Sequence, residues 1–362
     1  MRRADRGASA PLRVMLAVAG ALAVAGCQSM GAASVEADRI DYASAMAESW
    51  KQQMLLNIVK FRYFDTPVFL DVSSVISAYE LAGEVSLSAG FGHSEEDTGA
   101  NNMVGTKGSF TDSPTITYTP LTGENFVNAL LKPLPPQTIF AMIETGHPAD
   151  FILRIAVSAM NGVRNRSAAP ARTRSTDLAF QQVTDALRRI QRAGALSMRT
   201  EKETTWISFQ HDTGGDVEKD ISFVVHQLGI KSDNGEFLLS FGSRRHRPDE
   251  IAVLTRSMQE ILVDLGAGVD IPESDLKEGR ATTMPLSGQD AADYPLVHIR
   301  VGNERPRDAY TAAHYRGHWF WIDDRDLKSK RIFMFLMIFS SLAETGVVPQ
   351  TPIVTIPAHP GP

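Results

Sequence analysis

Three features of this 362-residue chain predict an α+β fold. Runs rich in β-branched and aromatic residues recur after residue 194, in no regular alternation with helices, which argues against a parallel βαβ array. Between them lie helices, expected at 248–265 and 327–344. A stretch at 83–119 alternates apolar and small polar residues, the period-two signature of strands with two unlike faces. The expected architecture is an N-terminal helix and long β-hairpin with a helical block, then a mixed or antiparallel sheet packed by helices.

The chain opens with Arg2, Arg3, Arg6 and Arg13 ahead of an apolar run at 14–25, the charged and hydrophobic regions of a secretory leader. The run is shorter than the ~20 residues of a spanning helix. It ends in Val24-Ala25-Gly26-Cys27, a bacterial lipobox, and Cys27 is the only cysteine. Residues 1–26 are therefore expected to be removed as a lipoprotein signal peptide, leaving 27–34 as a tether acylated on Cys27. Several chains on one residue, a palmitate among them, would hold the protein on a bilayer where one alone is marginal. Gln28, in place of Asp, directs the expectation to the outer membrane, periplasmic face.

From residue 35 the pattern is helical, with Met46, Trp50, Met54, Ile58 and Phe61 on one face and an end near Asp65-Thr66-Pro67. A strand is expected at 68–72, then the hairpin, with a mobile Gly-rich tip at 94–103. Helices follow at 124–131, 137–145 and 148–160, broken by Pro133, Pro135, Pro136 and Gly146. An exposed basic loop at 161–175 closes a helical region spanning 35–175; the remainder, 176–362, reads as an α+β domain. Its helix at 176–193 aligns Phe180, Val183, Leu187 and Ile190, with Thr176 as N-cap. Strands are expected at 206–211, 237–241, 296–301, 309–315 and 318–323, and 217–228 suits either helix or strand. The run at 332–339 is apolar on all sides and reads as a central core helix.

Composition narrows the function classes. Loss of four Arg and one Asp with residues 1–26 leaves 32 basic against 41 acidic residues, which argues against nucleic acid as a partner. With Cys27 lipidated no thiol remains for a disulfide, a zinc site or a nucleophile. No motif implies a cofactor. His314 and His318 sit four apart, but a turn at Arg316-Gly317 would pair Tyr315 with His318 and send the two imidazoles to opposite faces, so no metal is expected there. Asp323, Asp324 and Asp326 precede a helix at Leu327, and Asp326 is better read as its N-cap than as a cation ligand. Ser274-x-x-Lys277 lacks the partner motifs of acyl-transfer enzymes, and no catalytic residue is assigned. Arg164, Arg166, Arg172 and Arg174, with Arg188, Arg189 and Arg192 beyond them, are candidates for contact with an anionic envelope component.

The runs Leu55-Leu56-Asn57-Ile58-Val59-Lys60, Pro114-Thr115-Ile116-Thr117-Tyr118-Thr119-Pro120-Leu121 and Trp319-Phe320-Trp321-Ile322-Asp323-Asp324-Arg325-Asp326 resemble those of a family of proteobacterial lipoproteins with no assigned activity. The resemblance implies the same address and carries over no site. The expectation is an outer-membrane-tethered periplasmic lipoprotein that acts as a binding, scaffold or assembly component, more in the manner of a binding module than an enzyme. Its partners would be the membrane, through the lipid, and an envelope protein or anionic component. One alternative is an envelope hydrolase acting on peptidoglycan, lipid or polysaccharide, with its acid and base drawn from distant residues. A second is a multimeric pore, each subunit donating the 84–119 hairpin.

Overall fold

The computed structural model describes residues 30–76, 79–90, 101–112, 115–167, 176–202, 204–211, 214–282 and 295–343, and the fold is α+β. Cys27, Arg172 and Arg174 lie outside the described residues, as do residues 94–100 of the expected loop tip and residues 344–362.

Helix α1 (Met30–Arg62) begins the fold. Its C-terminal part carries Met54, Leu55, Ile58 and Val59 into the core, whereas Ile40, Met46 and Trp50 on the preceding turns are exposed. The helix stops because Phe64 takes a left-handed conformation, φ 56°. That turn lets the Asp65 N–H reach back to the Lys60 carbonyl at 2.9 Å, a Schellman closure, two residues before Pro67.

A two-stranded antiparallel ribbon follows. Strand β1 (Leu70–Ile76) pairs with β4 (Thr115–Pro120), and β2 (Tyr79–Gly90) pairs with β3 (Asn101–Asp112) without a break from Tyr79↔Asp112 to Gly90↔Asn101. The strand expected at 68–72 lies in the β1/β4 sheet, and the stretch expected as a hairpin at 84–119 takes part in a separate β2/β3 sheet and supplies β4.

The helical block consists of α2 (Gly123–Phe126), which runs into a π turn at Val127–Leu131, then α3 (Pro136–Glu144) and α4 (Ala149–Ala156). The helix expected to reach residue 160 ends at 156, where the chain turns into β5 (Val157–Met160). Asn161 and Gly162 both have positive φ and form the tight turn to β6 (Val163–Arg164). The Asn161 amide donates to the carbonyls of Leu228 and Glu250 and accepts from the Ala252 N–H.

Helix α5 (Leu178–Arg192) buries Phe180, Val183, Leu187 and Ile190 as expected, but its N-cap position is Asp177 and not Thr176. Strands β7 (Leu196–Glu201) and β8 (Thr204–Phe209), helix α6 (Gly215–Leu228), strands β9 (Glu236–Phe241) and β10 (Glu250–Thr255), and helix α7 (Met258–Leu265) follow. The helix expected at 248–265 is therefore a strand and a shorter helix, separated by a capping box in which Ser257 and Glu260 bond each other's backbone N–H. Strands β5 to β10 form one sheet in the order β6-β5-β10-β9-β8-β7, antiparallel except for the β9/β10 pair. Strand β10 lies inside this sheet, which explains its unbroken apolar run.

This sheet takes strands from both sides of residue 175, and one hydrophobic core runs from Met54 to Phe339. A boundary at 175 would pass through both the sheet and the core. After the short helix α8 (Glu273–Lys277), strands β11 (Arg300–Gly302), β12 (Ala309–Tyr315) and β13 (His318–Asp323) form a second sheet in the order β11-β13-β12. Helix α9 (Leu327–Ala343) buries Phe333, Leu336 and Phe339 but leaves Met334 47% exposed, so its apolar run is not covered on every side.

Candidate functional site

The surface with the most distinctive construction is the ribbon and its attachment to α1. Two side chains one helical turn apart hold the strand that enters it. Asn57 donates to the Val68 carbonyl at 2.8 Å and accepts from the Val68 N–H at 2.9 Å. Gln53 does the same for Leu70, at 3.1 and 2.8 Å. The match follows from pitch: residues i and i+4 of a helix are separated by about 6 Å along its axis, and alternate residues of a strand by about 6.6 Å. Each amide presents one donor and one acceptor, like the backbone of a neighbouring strand, so the helix edge stands in for a sheet edge. Asn57 is fully buried.

Along β2 and β3 the register puts Leu81, Val85 and Leu87 on one face with Phe110, Thr106 and Val104 opposite them. Glu80, Glu84 and Ser86 share the other face with Thr111, Lys107 and Gly105. Among the described residues neither strand hydrogen-bonds to any strand but its mate, and the outer edge of each is open.

The basic cluster is divided by the fold. Arg164 is exposed on β6, whereas Arg166 is buried, with its Nε 3.9 Å from Asp264. Arg256 approaches the other oxygen of Asp264 at 3.2 Å and donates to the Arg166 carbonyl. Arg166 thus belongs to an interior ion network and cannot meet an outside anion. On α5, Arg189 forms a two-bond pair with Asp220, and Arg188 faces Asp150 at 3.7 Å.

The turn at Arg316-Gly317 has positive φ at both residues and sets Tyr315 opposite His318 and His314 opposite Trp319, as expected. The histidines therefore fall on opposite faces, and His314 stacks near the Trp319 ring at 5.3 Å. Asp326 caps α9: its carboxylate accepts from the Ser329 N–H at 3.0 Å and from the Ser329 hydroxyl at 2.6 Å. Lys277 pairs with Glu273 on the exposed face of α8, away from any partner for Ser274 chemistry. His298 carries its ring against Asp270 at 3.0 Å, while Ser329 meets His298 at its backbone N–H and not at its ring. These three residues do not align as a nucleophile, base and orienting acid.

A second polar cluster, not foreseen from the sequence, lies where α1 meets the β12–β13 turn. The Tyr63 hydroxyl donates to Asp275 at 2.7 Å, the Tyr315 hydroxyl donates to Asp65 at 2.6 Å, and Arg316 lies 5.4 Å from both tyrosine rings. Burial, then the bond to a carboxylate, pushes each phenol above its ordinary value. The Tyr315 bond holds Asp65 below the ordinary carboxylate value. Both phenols are proton donors at neutral pH, which fits tying α1 to the hairpin better than abstracting a proton.

Among the described residues no three His, Cys, Asp or Glu side chains converge as a metal site, and no helix is long and apolar enough to cross a membrane. No family model, no curated protein and no solved structure matches this chain.

Two predictions test these contacts. Asn57→Ala strands the N–H and carbonyl of Val68, so urea unfolding should show a loss of about 2–3 kcal/mol; Asn57→Asp, which keeps only the acceptor and buries a charge, should be no milder. A loss under about 0.5 kcal/mol for either would remove the amide clamp from the account. For Asp326, burial raises the carboxyl but the bonds from Ser329 outweigh it and hold the group below its ordinary 3.8. Its contribution is accordingly complete above that value and is lost as pH falls through the lower folded value. Asp326→Ala should cost about 1 kcal/mol at pH 7, with the gap from the parent protein closing in unfolding curves taken below pH 4. A gap unchanged down to pH 2 would contradict the cap.

Proposed function

We propose that this chain is an outer-membrane lipoprotein, anchored through Cys27 and facing the periplasm, that works as a binding or assembly component of the cell envelope. The anchor half of this reading rests on the leader and the Val24-Ala25-Gly26-Cys27 lipobox. The assembly half rests on one observation: a ribbon of twelve consecutive residue pairs whose two outer edges bond no other strand among the described residues. Open edges of that length are templates for strand addition, and a two-stranded ribbon alone is marginally stable in water. A partner that extends the ribbon would supply what it lacks.

The register favours a second reading as well. Strands of twelve residues exceed the ~9–11 needed to cross a bilayer, and one face gathers apolar residues while the other gathers small and charged ones. Several copies, each giving two strands, could close a barrel and form a pore. In either reading α1, 33 residues or about 50 Å long, joins the anchor to the folded body.

Full-length acylated protein extracted in mild detergent, measured by light scattering and electron microscopy, separates the readings. Cys27→Ser should leave the membrane fraction. The acylated chain should travel as an assembly that is lost when 84–119 is replaced by a short turn, and a closed ring would identify the pore. A monomer indifferent to that replacement would overturn the assembly reading.

A further inference from the structure

At the root of the ribbon is a cavity of about 180 Å³. Six segments wall it: α1, the chain entering the ribbon, the chain leaving it, the π turn, α7 and α9. The wall is apolar, with Trp50, Met54, Phe69, Leu130, Met258 and Met337 contributing. Gln53 and Ser340 are its polar lining side chains, and both are engaged. The Gln53 amide spends its donor and its acceptor on the Leu70 backbone, and the Ser340 hydroxyl donates to the Met337 carbonyl at 3.1 Å. A water molecule needs two to four polar partners to settle in a cavity, and beyond the bonds already made the side chains of this lining offer only the Trp50 indole N–H and the spare sites of Gln53 and Ser340.

We infer that this cavity is a binding site for the alkyl chain of an amphiphile. Size supports the class of ligand: an apolar protein cavity of about 150 Å³ stays dry and accepts benzene. Shape supports an alkyl chain over a rigid ring, because the three methionines come from three different helices and unbranched thioethers adapt to an irregular guest. Access supports it too, since Trp50 and Leu70 at the cavity's edge are each 37% exposed. With no charged residue in the lining, a polar head group stays outside in water. The chain's own lipid is not the guest. Twenty residues of helix separate Met30 from Trp50, about 30 Å, whereas an acyl chain spans one leaflet, about half of a ~30 Å hydrocarbon core. The ligand is therefore a separate amphiphile, and the inference stands whether or not the ribbon assembles.

The test uses the full-length chain carrying Cys27→Ser, purified without alkyl detergent and titrated with decanoate by calorimetry. Saturable binding at one site is expected. Decanoate carrying a terminal bromine should quench Trp50 fluorescence, and the quenching should vanish in Trp50→Phe, which separates that residue from the chain's other tryptophans. Ala129→Phe, which projects a ring into the cavity from the π turn, should weaken decanoate at least tenfold while circular dichroism stays unchanged. Should that variant fail to fold, the Trp50 quenching decides alone. Absence of decanoate binding, binding that leaves Trp50 unquenched, or binding of toluene in place of decanoate would each overturn the assignment. None of these outcomes bears on the detergent mass of the acylated protein, so the two proposals fail separately.

Discussion

The edge of α1 that carries Gln53 and Asn57 is the constraint on which the rest of the molecule's outer architecture depends. One turn of helix has to satisfy four backbone groups of an extended chain and, on its adjacent face, supply Met54, Leu55 and Ile58 to the core. The ribbon would otherwise leave the body with unpaired polar groups at a half-buried junction, at a cost that native proteins rarely carry. Because the clamp is made by side chains, Val68 and Leu70 at the entry to β1 are held to a helix and not to another strand.

The interior is organised around a different economy of charge. Arg166 and Arg256 converge on Asp264 beneath the β5–β10 end of the sheet, and Asn165 donates to the carbonyls of Arg154 and Val157. Removing one member of such a network costs more than the network contributes, since the others are left charged in a dry site. Its value lies in specificity: it fixes where β6, β10 and α7 meet. The Tyr63, Asp65, Asp275 and Tyr315 cluster does the same just past the C-terminal end of α1 with neutral donors, which carry a smaller desolvation penalty.

Much of this was legible in the residues. Period-three-and-four runs located α1 and α5, proline and glycine breakers marked off α3, a continuous apolar run located α9, period two located the β2 and β3 strands, and the Arg316-Gly317 turn yielded the pairing of β12 with β13. The misplacements have specific causes. Strand β10 reads as helix because a central strand is apolar on both faces and loses its period. Strand β5 was absorbed into the helix before it, although Asn161-Gly162 is a strong signal for a tight hairpin turn. Arg166 sits in a run of exposed-looking residues, and its burial depends on Asp264, nearly a hundred positions away. The clamp was invisible for the same reason. Gln53 and Asn57 are ordinary helix residues until the chain from 68 to 70 is laid beside them, and the cavity is made by six segments that no local pattern connects.

The order of strands in the larger sheet also governs how the chain can come to exist. Strand β5, with β6 paired to it, appears early, yet its partner on the other side is β10, about ninety residues later, and β9 to β10 is a parallel crossing. Contacts so distant in sequence are slow to form, because the loop between them must be ordered before any contact repays it. A chain emerging with its N-terminus first therefore completes the ribbon well before the body that supports it. For that interval two open strand edges and an unfinished core are in solution together, the combination that most invites aggregation. Timing, as much as final stability, sets the demand this topology makes on whatever escorts the nascent protein.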